Sequence, residues 1–313
     1  MRARVVVVGV AVDAGVGGSP LQDESAPRLL VWMFLGYWFE NIEFVPSAAL
    51  VALLGSLGVR EAAARAALSR LARRGSLEGT KLGRNTAYRL AAGSAQAARA
   101  QGRRVLKFGS GPSPWDRQWT CVVFSIPESD RRRRPALRQR LRELRLGPLF
   151  DGFWITPRAP LAAIDRSLTE LGVSDAAVFR VCEVPRPAGV DLLSAWDLRS
   201  LRADYEDLIE SLEPVVRRVR QGTLPDRDAL VARSAACARW RYLAAADPGL
   251  PDELLPRDWP QRRARELFVE AYDSLGPAAE RRVRELVGSV RGVSSPAPHH
   301  RRIEDCLGVA RSA

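Results

Sequence analysis

Residues 60–75 read REAAARAALSRLARRG, with six alanines, five arginines and a closing glycine. Alanine is the strongest helix former and glycine a common stop, so the stretch reads as a helix that ends at Gly75. At 100° per residue, Ala64, Ala67, Leu68 and Leu71 share one face, a narrow apolar stripe suited to packing. Ala62, Arg65, Ala66, Ser69, Arg70 and Arg73 share the other. A helix that enters a DNA major groove about 12 Å wide must be slim on its exposed face, and alanine interleaved with serine and arginine supplies that. Arginine pairs in bidentate fashion with guanine O6 and N7, and arginine or serine can hold phosphates. The bland alternative is a solvated amphipathic helix with arginines chosen for propensity. The flanking sequence decides between the two.

Upstream, APRLLVWMFLGYWFE (26–40) predicts an apolar helix, and PSAALVALLGSLG (46–58) a second, started by Pro46 and Ser47 and stopped by Gly58. Downstream, SLEGT and TAYRL read as short strands around KLGRN, a hairpin with glycine and asparagine in its turn. Helix, helix, tight turn, helix, hairpin is the order of a winged helix-turn-helix. Lys81, Arg84 and Asn85 fall at the predicted turn tip, and Arg89 projects from the sheet opposite Tyr88 and Leu90. In that context the groove-reading helix is preferred, with Arg65, Ser69, Arg70, Arg73, Lys81, Arg84 and Arg89 as DNA-binding residues.

A composition shift at KFGSGPSPWDRQ (107–118) opens a second region. There WTCVVFSIP, GFWITP and AAVFRVCEV read as strands, alternating with helices in PALRQRLRELRLG and LAAIDRSLTELG. That alternation predicts a small ferredoxin-like α/β domain. After the linker VPRPAGVD (184–191), helical periodicity runs near 197–221, 225–246 and 259–289. The expected fold class is α+β and multidomain. Its parts are a disordered leader (1–26), a winged helix-turn-helix domain (27–106), a ferredoxin-like domain (115–187), an all-helical C-terminal domain (192–291) and a flexible tail (292–313).

The net charge of +12 favours an anionic partner, nucleic acid or a membrane surface, and it is polarised. Residues 28–110 carry 13 Lys and Arg against 4 Asp and Glu, whereas residues 191–313 balance at 20 against 20. Four scattered cysteines form no CxxC pair, which points away from a disulfide framework or a zinc site. The only histidines, His299 and His300, sit in the tail, poor material for a catalytic or metal centre. No apolar run reaches the roughly 18–20 residues of a membrane span. The N-terminal MRARVVVVGVAV is too short before Asp13, and lacks a clear cleavage site, for a signal peptide. The expectation is a cytoplasmic non-enzyme with no catalytic residues, metal or cofactor.

LSRLARRGSLEGTKLGRNTAYRL, then PWDRQWTCVVFSIPE, LRLGPLFDGFWITPR and DPGLPDELLPRDWPQRRARELF resemble the phenylacetate-degradation repressor (PaaX) family, in the family's order, from about residue 28 to 290. The resemblance implies a bacterial transcriptional regulator of an aromatic-acid catabolic operon. It further implies a homodimer on an inverted-repeat operator of double-stranded DNA, released by an aryl-CoA thioester such as phenylacetyl-CoA. For that effector the arginine-rich CARWRYLA region suggests Arg233 and Arg241, near the phosphates, while Trp240 reads as packing.

The middle region is also similar to a small CRISPR-associated adaptation nuclease, whose first strand ends in a metal-binding aspartate. Here Ser125 stands at that position, with Glu128 and Asp130 displaced along the chain. A phosphodiester-cleaving centre needs carboxylate oxygens for Mg²⁺, so a metal-dependent nuclease is the runner-up and a structural version of the fold is preferred. The run Arg131–Arg134 reads as a solvated helix start, a phosphate contact or an anion site. A scaffold that has lost ligand control is a third possibility.

Overall fold

A computed structural model of the chain describes residues 21, 24–39, 43–83, 85–182, 191–290 and 296–308. In chain order these form α1 (Ala26–Tyr37), β1 (Val45–Pro46), α2 (Ser47–Ser56), α3 (Glu61–Arg73), β2 (Leu77–Leu82), β3 (Asn85–Leu90) and α4 (Ala92–Lys107). Then come β4 (Trp119–Phe124), α5 (Arg133–Glu143), β5 (Gly147–Phe150), β6 (Phe153–Thr156), α6 (Leu161–Glu170) and β7 (Ala176–Val181). The chain finishes with α7 (Leu198–Arg220), α8 (Asp226–Ala246), α9 (Gln261–Ser274), α10 (Gly276–Gly288) and the short α11 (Ile303–Leu307). The class is mixed α and β, mostly helical, with two small antiparallel sheets.

Two compact units result. One holds residues 1–109, 205–244 and 261–313, the other 110–204 and 245–260. In the first, α2 and α3 end on the same device. Gly58 (φ 87°) and Gly75 (φ 70°) take left-handed backbone, and the residue after each donates its N–H back to a carbonyl of the last turn. Val59 N–H reaches Leu54 O and Ser76 N–H reaches Leu71 O, both at about 3 Å. These paired stops set the tight turn into α3 and the turn from α3 into the sheet. The sheet runs β1-β3-β2, with Leu77 opposite Leu90 and Leu82 opposite Asn85. The hairpin turn is therefore shorter than the sequence suggested, because cross-strand pairing carries the ladder past Lys81, which lies opposite Thr86. Under it, Leu50, Leu53, Leu54, Ala64 and Ala67 are fully buried.

The helices α8 and α9 of this unit are cemented by aromatic packing. Trp240 is fully buried, stacks on Phe268 with centroids 4.9 Å apart, and donates Nε1–H to Val105 O on α4 at 3.0 Å. The sequence pattern treats 292–313 as a flexible tail, yet residues 296–308 are packed. His299 N–H donates to Tyr37 O (2.9 Å), Trp38 Nε1–H to Pro296 O (3.1 Å) and Ile303 N–H to Asp273 (2.9 Å). Ile303 and Cys306 are buried beneath them. A short segment with only two apolar anchors carries little hydrophobic signal, and its order comes from hydrogen bonds to distant residues.

In the second unit the strand order β5-β6-β4-β7, with α5 and α6 between strands, is the split βαβ connection of a ferredoxin-like sheet. Val122, Phe124 and Trp154 pack against Leu137, Leu141, Ile164 and Leu168 of the two helices. On the opposite face Trp119, Cys121 and Ile155 meet Leu192 and Ala195.

Candidate functional site

Helix α3 presents the face expected of it. Ala64, Ala67, Leu68 and Leu71 are buried, while Arg65, Ser69, Arg70 and Arg73 are exposed. Arg70 and Arg73 have no ion-pair partner among the described residues. Arg65 does: its guanidinium meets Glu61, one turn earlier, at 2.8 Å. On the hairpin, Lys81 is exposed and leans on the Thr86 hydroxyl at 3.4 Å. Arg89 is more occupied, paired with Glu78 across the ladder at 2.8 Å and lying 4.5 Å over the Phe44 ring. Arg84 lies outside the described residues. The sequence pattern did not single out Arg60 and Arg74, which are also exposed at either end of α3. Their proximity to the helix ends was readable, but nothing in their spacing set them apart.

Arg233 and Arg241, two turns apart on α8, line a single cleft with α1, α4 and α9. The cleft opens to solvent, and its water-accessible interior is about 40 Å³. Arg233 is only 3% exposed. Its guanidinium sits 3.8 Å from the Tyr272 ring centroid and 5.4 Å from that of Tyr37. Nε–H donates to Tyr272 O at 3.0 Å and Nη2–H to Arg301 O at 3.2 Å. Arg241 pairs with Glu24 and stacks 5.4 Å over Trp32. Burial lowers the Arg241 pKa, and the Glu24 charge opposes that. Burial also raises the pKa of the Tyr37 and Tyr272 hydroxyls and pushes Cys237 to about 11, so these groups are neutral near pH 7. Trp32 and Tyr37 escaped the sequence pattern because APRLLVWMFLGYWFE reads as an apolar core helix, and Tyr272 because it falls within a plain helical stretch. Only a three-dimensional neighbour, Arg233 from far along the chain, gives them another meaning.

At the end of β4, Ser125 is exposed and its N–H bonds Asp175 O at 2.8 Å. Glu128 and Asp130 are engaged by Arg131 (3.0 Å) and Arg133 (3.5 Å). Arg133 also donates to Gly172 O and Arg134 to Ile126 O, so three of the four arginines in that run fasten the fold locally. Among the described residues no three His, Cys, Asp or Glu side chains converge as metal ligands. No described helix is long and apolar enough to cross a membrane.

Comparison with known proteins adds three matches in chain order. Residues 34–94 match the PaaX-like protein family, 112–190 the PaaX protein central Cas2-like domain and 196–285 the PaaX-like protein C-terminal domain. The transcriptional repressor PaaX of Escherichia coli (strain K12) is 29% identical over 240 residues, 74% of each chain. Among solved structures, the uncharacterized protein Rv0674 from Mycobacterium tuberculosis superposes with a TM-score of 0.53 at 21% identity. That match spans 81% of this chain and 97% of Rv0674, a likeness of fold. With three consecutive segments matched and a relative aligned across most of both lengths, the chain belongs to the PaaX family.

Proposed function

We propose that the protein is a DNA-binding transcriptional repressor. Residues 27–106 act as a winged helix-turn-helix in which α3 enters the major groove. There Arg65, Ser69, Arg70 and Arg73 contact bases and adjacent phosphates, while the β2–β3 hairpin anchors the backbone through Lys81, Arg84 and Arg89. The observation that carries this reading is the exposed face of α3, basic and slim over a fully apolar underside. The repressor name of the E. coli relative supports it. Residues 115–187 and 192–291 form the ferredoxin-like and helical domains, and the protein works in the cytoplasm. As a homodimer it places two α3 helices about 34 Å apart on an inverted repeat. An aryl-CoA thioester such as phenylacetyl-CoA releases it, with Arg233 and Arg241 facing the effector.

The test is fluorescence anisotropy with labelled DNA from upstream of the protein's own gene, titrated against unrelated DNA at matched salt. Retention of the upstream fragment against excess competitor, lost on adding phenylacetyl-CoA, is the expected result. Equal affinity for both DNAs would sink sequence-specific repression. Retention that no aryl-CoA disturbs would remove the effector alone.

A further inference from the structure

Helix α5 is more basic than a solvated helix needs to be. It carries five arginines against one glutamate, whereas α9 sets three arginines against three acids and α10 three against two. The run extends on both sides, so residues 131–145 hold eight arginines and a single acid, Glu143. Three local features work against such a helix. Its first turn has no carboxylate and begins with Arg133 and Arg134, at the end where the helix dipole favours negative charge. Arg134, Arg138 and Arg142 follow one another at four-residue spacing, where like charges repel. Past the last turn Arg145 takes left-handed backbone (φ 68°), with Leu146 N–H returned to Leu141 O at 2.9 Å. The helices α2, α3, α6 and α7 fill that place with glycine, which adopts it without strain.

Carboxylates answer only part of this charge. Arg131, Arg133, Arg138 and Arg140 pair with Glu128, Asp130, Asp151 and Glu143. Arg132 and Arg142 are exposed and make no ion pair among the described residues, Arg142 lying 5.4 Å over the Trp154 ring. Arg132 and Arg140, eight residues apart with exposed Ala136 midway, stand on the same side of the helix. From Arg132 to Arg142 the axis runs ~15 Å, and a DNA duplex offers a phosphate charge about every 1.7 Å over that length. We infer that the face of α5 bearing Arg132, Arg140 and Arg142 is a second DNA surface, one that holds the phosphate backbone outside the operator. A polyanion laid along it relieves the repulsion between the arginines, and Arg145 adds a charge that glycine would lack. Contacts to phosphate carry no sequence information, so this surface adds affinity without preference. The choice of DNA as the polyanion rests on the repressor reading above. Since α3 and α5 belong to different compact units, each takes its own stretch of duplex.

The experiment follows anisotropy of the full-length protein across a salt series on two duplexes. One is the shortest upstream duplex that retains binding, the other that duplex lengthened with unrelated sequence on both sides. The added flanks should tighten binding and steepen its salt dependence. In a two-copy complex, Arg132→Gln with Arg142→Gln removes two contacts per copy and should flatten the slope on the long duplex by about four. The short duplex should bind this variant as it binds the parent. Lysine at both positions should restore the slope, because phosphate requires the charge and not the packing on Trp154. Ala136→Glu separates binding from stability. It sets a carboxylate one turn from both Arg132 and Arg140 and near the helix N-terminus, so the melting temperature should rise while the long duplex alone binds more weakly. The inference falls if flanks add nothing to the parent, or if the double variant and Ala136→Glu both keep the parent slope. It also falls if the double variant loses only binding to vesicles of anionic phospholipid, which would assign the face to a membrane. Should upstream DNA show no preference over unrelated DNA, the repressor reading fails. A salt-sensitive hold on long unrelated duplex that the double variant loses would still leave this surface standing.

Discussion

Arg70 and Arg89 carry the same charge but differ in what already holds them. Arg70 stands free on the exposed face of α3, whereas Arg89 is bound to Glu78 and lies on Phe44. A guanidinium with a committed partner must give it up to meet DNA, so its net contribution is smaller. Arg70→Ala should therefore cost about 1–3 kcal/mol on the upstream DNA, and Arg89→Ala well under half of that, in parallel anisotropy titrations. A larger loss for Arg89 would move the main contact to the hairpin. Thiols differ by the same logic. Cys182 is exposed, while Cys121 and Cys306 are buried and burial pushes Cys237 to about 11. Since only the thiolate reacts, a chromogenic disulfide at pH 8 should label one thiol per chain quickly, and Cys182→Ser should abolish that phase.

At the scale of elements, α3 was legible because a helix's buried stripe is a local, periodic property: Ala64, Ala67, Leu68 and Leu71 needed no knowledge of their partners. The strand β5 and the helix α4 were missed, since GPLF has too few residues for a period and α4's alanines and arginines spell no clear stripe. The tail was the hardest, because its order depends on Glu280 and Tyr37, far along the chain. Burial pushes the Glu280 carboxyl up, but bonds from the His300 backbone N–H and ring, with the Arg284 charge, outweigh it and hold the group below the ordinary range. A carboxylate with a lowered folded pKa adds stability above its unfolded pKa and loses it as pH falls through the folded value. Glu280→Gln should therefore cost about 1 kcal/mol at neutral pH, seen as a lower melting temperature. The gap between variant and parent should close as the medium is acidified below the usual carboxylate range. A gap that persists in acid would mean that Glu280 acts through packing.

For the whole molecule, the question is whether a net charge of +12 serves binding or only solubility. Most of that excess lies in residues 28–110, at 13 basic against 4 acidic residues, but much of the chain's arginine is already spent. Arg220, Arg263 and Arg281, for example, are paired with Glu270, Glu213 and Asp226. Total charge therefore overstates what DNA can feel, and the relevant count is the cations free to displace counterions. Of the proposed operator contacts among the described residues, Arg70, Arg73 and Lys81 make no ion pair, which gives three per copy. Two copies on one operator would then neutralise about six phosphates, and log K should fall with log salt at a slope of about −5. Arg70→Ala changes both copies and should flatten the slope by about two. A slope near −10 would mean that two further cations per copy engage the operator, either Arg65 and Arg89 leaving their carboxylates or Arg60 and Arg74 at the ends of α3. A slope near zero would leave α3 a solvated helix whose charge only keeps the protein dispersed.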